Sequence, residues 1–129
     1  MTQHQKVLTI LIRLGSAKLD GWVEAPDFQQ YGDIFVGYKA PTRIAELSDP
    51  QTGYPEMIER GKIEGKRYLK YRFKHENTAK FLSSIPKEYI NIVENELKSL
   101  GMSYEKEITE FIYLGNNTVR PVKRIIRVS

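Results

Sequence analysis

The sequence contains no cysteine among its 129 residues. This absence excludes a disulfide scaffold, a cysteine nucleophile and any zinc or iron–sulfur site that needs thiolate ligands. No apolar run approaches 18 residues, so no membrane-spanning helix is expected. The apolar stretch at residues 7–14 is followed at once by polar residues without a convincing cleavage site, which argues against a secretory signal. We therefore expect a cytoplasmic protein of one domain, or of a small domain with an appendage.

What the sequence does have is an unevenly distributed charge. The chain carries 20 Lys and Arg against 16 Asp and Glu, a net charge of +4, and its 40% hydrophobic content is that of a globular protein. Residues 38–75 hold nine basic and five acidic side chains, residues 88–110 are acidic, and residues 120–129 carry four basic side chains and no acid. Two basic regions therefore flank an acidic one, and their distribution matters more than the net charge.

Hydrophobic periodicity predicts a mixture of short helices and strands, an α+β fold. Pro26 and Pro41 suit the first turn of a helix, Gly101 suits a helix end, and Gly115-Asn116-Asn117 suits a tight hairpin turn. Helices are predicted at residues 5–15, 26–31, 41–48 and 86–100, and strands at residues 22–23, 57–60, 68–74, 104–114 and 118–128. Residues 32–38 and 61–66 are predicted turns, and residues 75–84 are predicted to form a connector or a short helix.

Several short motifs in residues 5–74 carry a family resemblance. They are Gly21-Trp22-Val23, the predicted helix around Asp27-Phe28, the run from Lys39 to Leu47 with its Arg-Ile-x-x-Leu pattern, and a hairpin over residues 58–73 that ends Tyr-Leu-Lys-Tyr-Arg-Phe. In this order they resemble the winged helix-turn-helix family of DNA-binding domains, and in particular the small winged-helix proteins of phages and mobile elements. The resemblance is one of pattern, and the turn at residues 33–38 is longer than the tight turn of the family.

The resemblance implies three segments with different roles. Residues 1–75 would form the winged helix-turn-helix domain, residues 76–85 a connector, and residues 86–129 a helix and β-hairpin unit for assembly or partner binding. A unit of this last size rarely buries enough apolar surface to fold alone.

The predicted positions of hydrogen-bond donors favour nucleic-acid binding. In the predicted helix at residues 41–48, Ile44 and Leu47 face inward, and donors stand at the N-terminal end, which is the end that usually reaches bases and phosphates. The following hairpin places basic side chains at its tip and along its outer face, where they can hold a phosphate backbone. The predicted double-stranded-DNA-binding residues are Lys39, Thr42, Arg43, Lys62, Lys66, Arg67, Tyr68, Lys70 and Arg72.

Two interpretations of this surface stay open. The first is a DNA-binding protein: a small transcription regulator or replication accessory factor of a phage or mobile element. The second is a non-catalytic protein-interaction module, such as an inhibitor or adaptor, whose basic face meets an acidic protein on a winged-helix scaffold.

Motifs for catalysis are weak. Residues 61–67 are similar to a phosphate-binding loop, but the glycine spacing is one residue short and no Ser or Thr follows the lysine. Asp27 with Glu64 and Lys66 has the composition of a metal-dependent nuclease, but these residues fall on a predicted helix and a turn rather than on adjacent strands. His4 and His75 are isolated. We expect no catalytic residue, no metal and no cofactor, and no enzymatic activity.

The C-terminal unit is expected to assemble. Its predicted helix has one apolar face, formed by Ile90, Val93, Leu97 and Leu100, and the hairpin that follows is apolar on both sides. A homodimer through residues 86–129 would bury these faces and would pair two DNA half-sites. Packing of the unit on its own N-terminal domain is the open alternative.

Overall fold

The computed structural model of the chain describes residues 2–29, 39–74, 76 and 78–129. Within these residues it is an α+β structure with two separate antiparallel sheets, which confirms the predicted class. The elements are α1 (Gln3–Ser16), β1 (Val23–Glu24), a 3₁₀ helix (Ala25–Phe28), α2 (Ala40–Leu47), β2 (Ile58–Lys62), β3 (Leu69–Phe73), α3 (Thr78–Leu82), α4 (Lys87–Ser99), β4 (Tyr104–Gly115) and β5 (Thr118–Val128). The predicted turn at residues 32–38 and the residue His75 lie outside the described residues.

Helix α1 forms the centre of the core. All six residues from 7 to 12 are at most 3% exposed, so the helix is enclosed on every side rather than along one stripe. It contacts α2, α4, β1 and β3. A capping box starts it, because the Thr2 hydroxyl accepts a hydrogen bond from the Gln5 N–H and the Gln5 side chain accepts one from the Thr2 N–H.

The three-stranded sheet has the order β1-β3-β2. Tyr71 and Phe73 of β3 point into the core, against Phe28 and Phe81, while Lys70 and Arg72 lie on the outer face. This confirms the predicted alternation along β3. Strand β2 runs to Lys62, two residues beyond its predicted end, so Gly61 and Lys62 belong to the ladder and not to the turn.

The predicted helix at residues 26–31 differs in the part that the structure describes. Residues 25–28 form a 3₁₀ helix, with Pro26 in the first turn as expected. The Asp27 carboxylate accepts a hydrogen bond from the Glu24 N–H and pairs with Lys18 at 3.0 Å, which fixes this turn locally. The predicted helix end at residue 31 lies outside the described residues.

Helix α4 packs inside the chain, which corrects the assembly surface predicted on it. Val93 and Leu97 are fully buried in the same apolar cluster as α1, and Ile90 is partly buried against that cluster. Only Leu100, at 38% exposed, stays accessible. The apolar face of α4 is therefore covered by the protein's own core, and this core includes residues on both sides of the predicted connector at residues 76–85.

The C-terminal part of α4 is held by hydrogen bonds. At its C-terminus Gly101 adopts a φ of 69°, and the N–H groups of Gly101 and Met102 donate to the carbonyls of Lys98 and Leu97, as a glycine stop requires. Along the helix the buried Glu96 carboxylate accepts a hydrogen bond from Arg13 of α1. Loss of Arg13 would leave this carboxylate buried without its cationic partner, which is destabilising.

The β4–β5 hairpin is the longest element pair in the described part of the chain. Tyr104 pairs with Val128 at its base, and the turn holds Asn116 and Asn117 at φ values of 49° and 61°. Two consecutive left-handed residues match the twist of a two-residue hairpin turn. The turn predicted at Gly115-Asn116-Asn117 is confirmed.

The base of this hairpin is tied to α4 through Glu94. One oxygen of the Glu94 carboxylate accepts hydrogen bonds from the Tyr104 hydroxyl at 2.7 Å and from the Lys106 ammonium at 2.9 Å. Burial by itself raises the pKa of Glu94, but these hydrogen bonds and the charge of Lys106 outweigh it and leave the pKa below its usual value. Burial and the neighbouring carboxylate raise the pKa of Tyr104.

We predict that Glu94 makes stability sensitive to acid. Because its pKa is lower in the folded state, its contribution is complete above the unfolded value of about 4.3 and is lost as the pH falls through the folded value. The Glu94→Gln variant should lose less unfolding free energy than the wild type between pH 6 and pH 3, measured by urea denaturation. The control is Glu105→Gln, at an exposed carboxyl that makes no ion pair among the described residues. If the unfolding free energies of Glu94→Gln and of the wild type fall equally with pH, the assignment is wrong.

A close backbone contact fixes the loop after α2. The Tyr54 N–H donates to the Leu47 carbonyl at 2.9 Å, and a Cβ at Gly53 would lie 2.2 Å from that same carbonyl oxygen. Only glycine fits such an approach without a backbone shift.

The Gly53→Ala variant should therefore lose about 2–4 kcal/mol of unfolding free energy. Urea unfolding followed by Trp22 fluorescence measures this. The control is Gly65→Asn, where φ is +77° but no atom lies within 4 Å of the added Cβ and asparagine tolerates the conformation. A loss at Gly53 no larger than at Gly65 would show that the loop relaxes freely.

Candidate nucleic-acid interface

Helix α2 carries the first group of predicted contact residues. Ile44 and Leu47 are buried, as predicted, so the N-terminal end of the helix faces outward with Lys39 and Thr42 exposed. Lys39 is the N-cap residue and has a φ of 80°, an unusual conformation for a residue with a side chain. This end of α2 therefore presents donors to solvent, as an approach to a nucleic-acid groove requires.

Arg43 differs from the other α2 residues because its charge is already paired. Its Nη1 lies 2.8 and 2.7 Å from the two carboxylate oxygens of Glu46, and His4 Nε2 lies 2.8 Å from one of them. The hydrogen bond to His4 comes first among the causes that lower the pKa of Glu46, followed by Arg43; desolvation opposes both.

This cluster changes the expected role of Arg43. Arg43 is predicted from the sequence as a DNA-contacting donor in the first turn of the helix; its partners Glu46 and His4 are not predicted. The i,i+3 spacing of Arg43 and Glu46 was a signal for the pair, because such residues share a helix face. His4, 42 positions from Glu46, gave no local signal.

The β2–β3 hairpin carries the second group. Lys62 pairs with Leu69 at the end of the ladder, and the turn beyond it contains Gly65, with a φ of 77°, together with Lys66 and Arg67. Lys62, Lys66 and Arg67 are exposed, and within the described ranges none of them makes an ion pair. Tyr68 is half-buried just before β3. We call Lys62, Lys66 and Arg67 the basic tip; its only nearby acid in sequence is Glu64.

The outer face of the three-stranded sheet carries the third group. Lys70 Nζ and Arg72 Cζ lie 4.4 and 4.7 Å from the centre of the Trp22 ring, within the range of cation–π contacts. Arg72 also pairs with Glu59 on β2. Gly61 makes this packing possible, since a Cβ there would lie 2.9 Å from the Lys70 side chain and 3.3 Å from the Trp22 ring. Both cations are thus engaged with the sheet itself.

The structure thus divides the nine predicted residues by availability. The basic tip is exposed and has no ion-pair partner among the described residues. Lys39 and Thr42 are exposed at the start of α2, Tyr68 is half-buried, and Arg43, Lys70 and Arg72 already have protein partners. The role of Trp22 as a platform for two cations was missed. Its position next to the buried Val23 was the available signal, because neighbouring residues of a strand face opposite sides.

Other possible sites have less support. Among the described residues no three His, Asp or Glu side chains cluster in a way that could hold a metal ion. Asp27, one member of the nuclease-like set, is used by the 3₁₀ helix and by Lys18. Helices in the described ranges all lack the length and hydropathy to cross a bilayer.

Comparisons with protein-family models, with curated proteins and with solved structures gave no match to this chain.

Proposed function

We propose that this chain binds double-stranded DNA, with the basic tip as the main contact to the phosphate backbone. The observation that carries the proposal is the basic tip itself: three exposed cations, with no ion pair to any residue that the structure describes, at the end of a two-stranded hairpin. Cations held this way gain most from phosphate, since they give up no protein partner and release counterions from the DNA.

The order of elements supports a winged-helix arrangement. Helix α1, strand β1, the 3₁₀ helix, helix α2 and the β2–β3 hairpin follow one another, and β1 pairs with the free edge of β3. This is the order that the resemblance to winged helix-turn-helix domains implies. In such an arrangement α2 is the recognition helix, and its exposed N-terminal end would approach base edges.

The charge distribution favours different roles for helix α2 and for the basic tip. The guanidinium of Arg43 on α2 is neutralised by Glu46, whereas the basic tip adds three positive charges against Glu64. We therefore assign most of the sequence-independent affinity to the tip. A transcription regulator or replication accessory factor of a phage or mobile element is the role that this chemistry and the resemblance favour.

A protein-interaction module is the second candidate, and a different surface favours it. The distal β4–β5 hairpin exposes large apolar side chains, which suit a protein partner better than phosphates. Titration with a random duplex at two salt concentrations separates the two candidates, because DNA binding through cations weakens steeply with salt. Absence of duplex binding at low salt would favour the second.

The basic tip gives the first functional prediction. The double variant Lys66→Ala/Arg67→Ala should weaken binding to every duplex alike and reduce the slope of log K against log salt by about two units. Fluorescence anisotropy with a random and a genomic duplex measures both. The matched control is Lys87→Ala/Lys98→Ala, which removes two exposed cations from α4. A double variant at the tip with the wild-type slope would place the contact elsewhere.

The Glu46 cluster gives the second functional prediction. Glu46→Gln removes the carboxylate that neutralises Arg43, so DNA affinity should rise, by up to about tenfold at low salt, with one more unit of salt slope. Glu105→Gln removes the same charge from an exposed site on β4 and should change affinity little. An unchanged affinity in Glu46→Gln, or an equal rise in the control, would mean that α2 lies away from the DNA.

A further inference from the structure

The distal half of the β4–β5 hairpin extends away from the body of the protein. We call residues 109–124 the distal arm. Along it Phe111 is 71% exposed, Tyr113 67% and Val119 52%, and the described contacts of β4 outside its own hairpin are mainly with α3 near the base. A two-stranded hairpin is marginally stable in water by itself, so an arm with this much exposed apolar surface needs a cover.

The two faces of the distal arm differ in charge. Alternation along the ladder places Phe111, Tyr113, Val119 and Pro121 on one face, which we call the arm face; the charged residue of the distal arm on this side is Lys123, at the lower end, where it lies 3.7 Å from Glu107. On the opposite face every cross-strand pair contains one charged member, the pairs being Ile112–Arg120, Glu110–Val122 and Ile108–Arg124. The opposite face is therefore the better hydrated of the two, although Ile112 on it is 47% exposed.

We propose that the arm face packs against the arm face of a second copy of this chain, in a two-fold dimer whose arms run antiparallel. The dimer goes beyond the proposed DNA binding and does not depend on it. Two faces of this kind would stack as sheets do, with Phe111 of one copy over Tyr113 of its partner and the reverse.

A groove at the base of the hairpin fits this arrangement. It has a volume of about 340 Å³ and lies between α3 and the cross-strand pair Glu107–Ile125, on the same side of the ribbon as the arm face. The centre of the arm face is about 15 Å from the tip at residues 116–117 and about 17 Å from the groove, at about 3.4 Å per residue. Antiparallel stacking about that centre therefore brings the Asn116–Asn117 turn of each copy to the groove of the other copy.

The side chains of the Asn116–Asn117 turn suit the groove chemically. The side chains of Asn116 and Asn117 offer amide donors, and the groove presents the Glu107 carboxylate and the Ser83 hydroxyl as acceptors. This stacking brings no like charges together, because Lys123, which is paired with Glu107, comes level with the uncharged Asn116–Asn117 turn of the partner.

Association through the strand edges is disfavoured by the same sequence. Strand β4 is acidic, with Glu105, Glu107 and Glu110, and β5 is basic from Arg120 to Arg127, so two-fold pairing of like edges would oppose like charges. Pro121 also lacks an N–H to donate on β5. The faces, not the edges, are available to a second copy.

The area is adequate for a dimer of moderate affinity. Each aromatic side chain can bury on the order of 150–250 Å². The arm face, together with the contact of the Asn116–Asn117 turn in the groove, would bury an area approaching the roughly 800 Å² per partner of stable interfaces. We expect a dissociation constant in the micromolar range.

Sedimentation of the full chain tests the proposal. The wild type, with a chain mass of 15.0 kDa, should sediment as a dimer of about 30 kDa at roughly tens of micromolar. Phe111→Glu should raise the dissociation constant at least a hundredfold, while the control Ile112→Glu, on the opposite face beside Arg120, should change it less than threefold. Circular dichroism confirms that both variants fold.

Three results would overturn the proposal: a wild-type mass of 15 kDa throughout this range, equal dissociation by both variants, or a dimer that Phe111→Glu leaves intact. Failure here is distinguishable from failure of the DNA-binding proposal, because the basic tip is unchanged and its salt slope for a random duplex is measured on the same variants.

Cross-linking tests the arrangement itself. Since the chain has no cysteine, Asn117→Cys/Ser83→Cys introduces one thiol at the tip and one at the groove. Within one chain the Asn116–Asn117 turn and the groove are separated by about ten residues of extended strand, about 34 Å. A disulfide between these thiols must therefore join two copies. Mild oxidation should give a covalent dimer in the double variant and far less in either single variant. Equal yields from the single variants would exclude the antiparallel arrangement.

Discussion

The enclosure of α1 is the constraint on which the rest of the structure depends. Its central six residues are apolar apart from Thr9, and they can be buried only if other elements cover the helix on all sides. Helix α2 and the three-stranded sheet supply part of this cover, and α4 supplies another part. The N-terminal and C-terminal segments are therefore joined through one helix, and the surfaces that remain free are those that do not touch it.

Those free surfaces have opposite characters. The basic tip is polar and small, whereas the distal arm is long and apolar, and the two stand on different hairpins. Much of the remaining positive charge is compensated inside the chain, by Glu46 at Arg43 and by Glu59 and Trp22 at Arg72. Internal pairing of this kind lowers the background attraction to any anion and concentrates it where the cations are free.

Local patterns predicted the elements well where the physical signal was local. The helix at residues 86–100, the alternation of β3 and the Asn116-Asn117 turn follow from periodicity, a glycine stop and tolerance of positive φ, and each is confirmed. Periodicity identifies an apolar face but not what covers it. Val93 and Leu97 were therefore predicted to face a partner, and the structure places α1 there instead.

The candidate site was harder to predict for a related reason. Residue type and spacing located the nine donors, but availability depends on contacts between distant segments, such as His4 with Glu46 and Trp22 with Lys70. The exception is Lys62, Lys66 and Arg67, whose exposure follows from their place at the end of one hairpin. Sequence is thus most informative about a site when the site consists of one local element.

The link between Arg13 and Glu96 also sets the order in which the chain can fold during synthesis. These residues are 83 positions apart, and a ribosome adding about 5–20 residues per second needs roughly 4–17 s to cover that distance. Throughout this interval the nascent chain has α1 but lacks the helix that covers one of its sides. The core closes only when α4 has emerged, so α1 stays partly uncovered until residues 87–99 leave the ribosome.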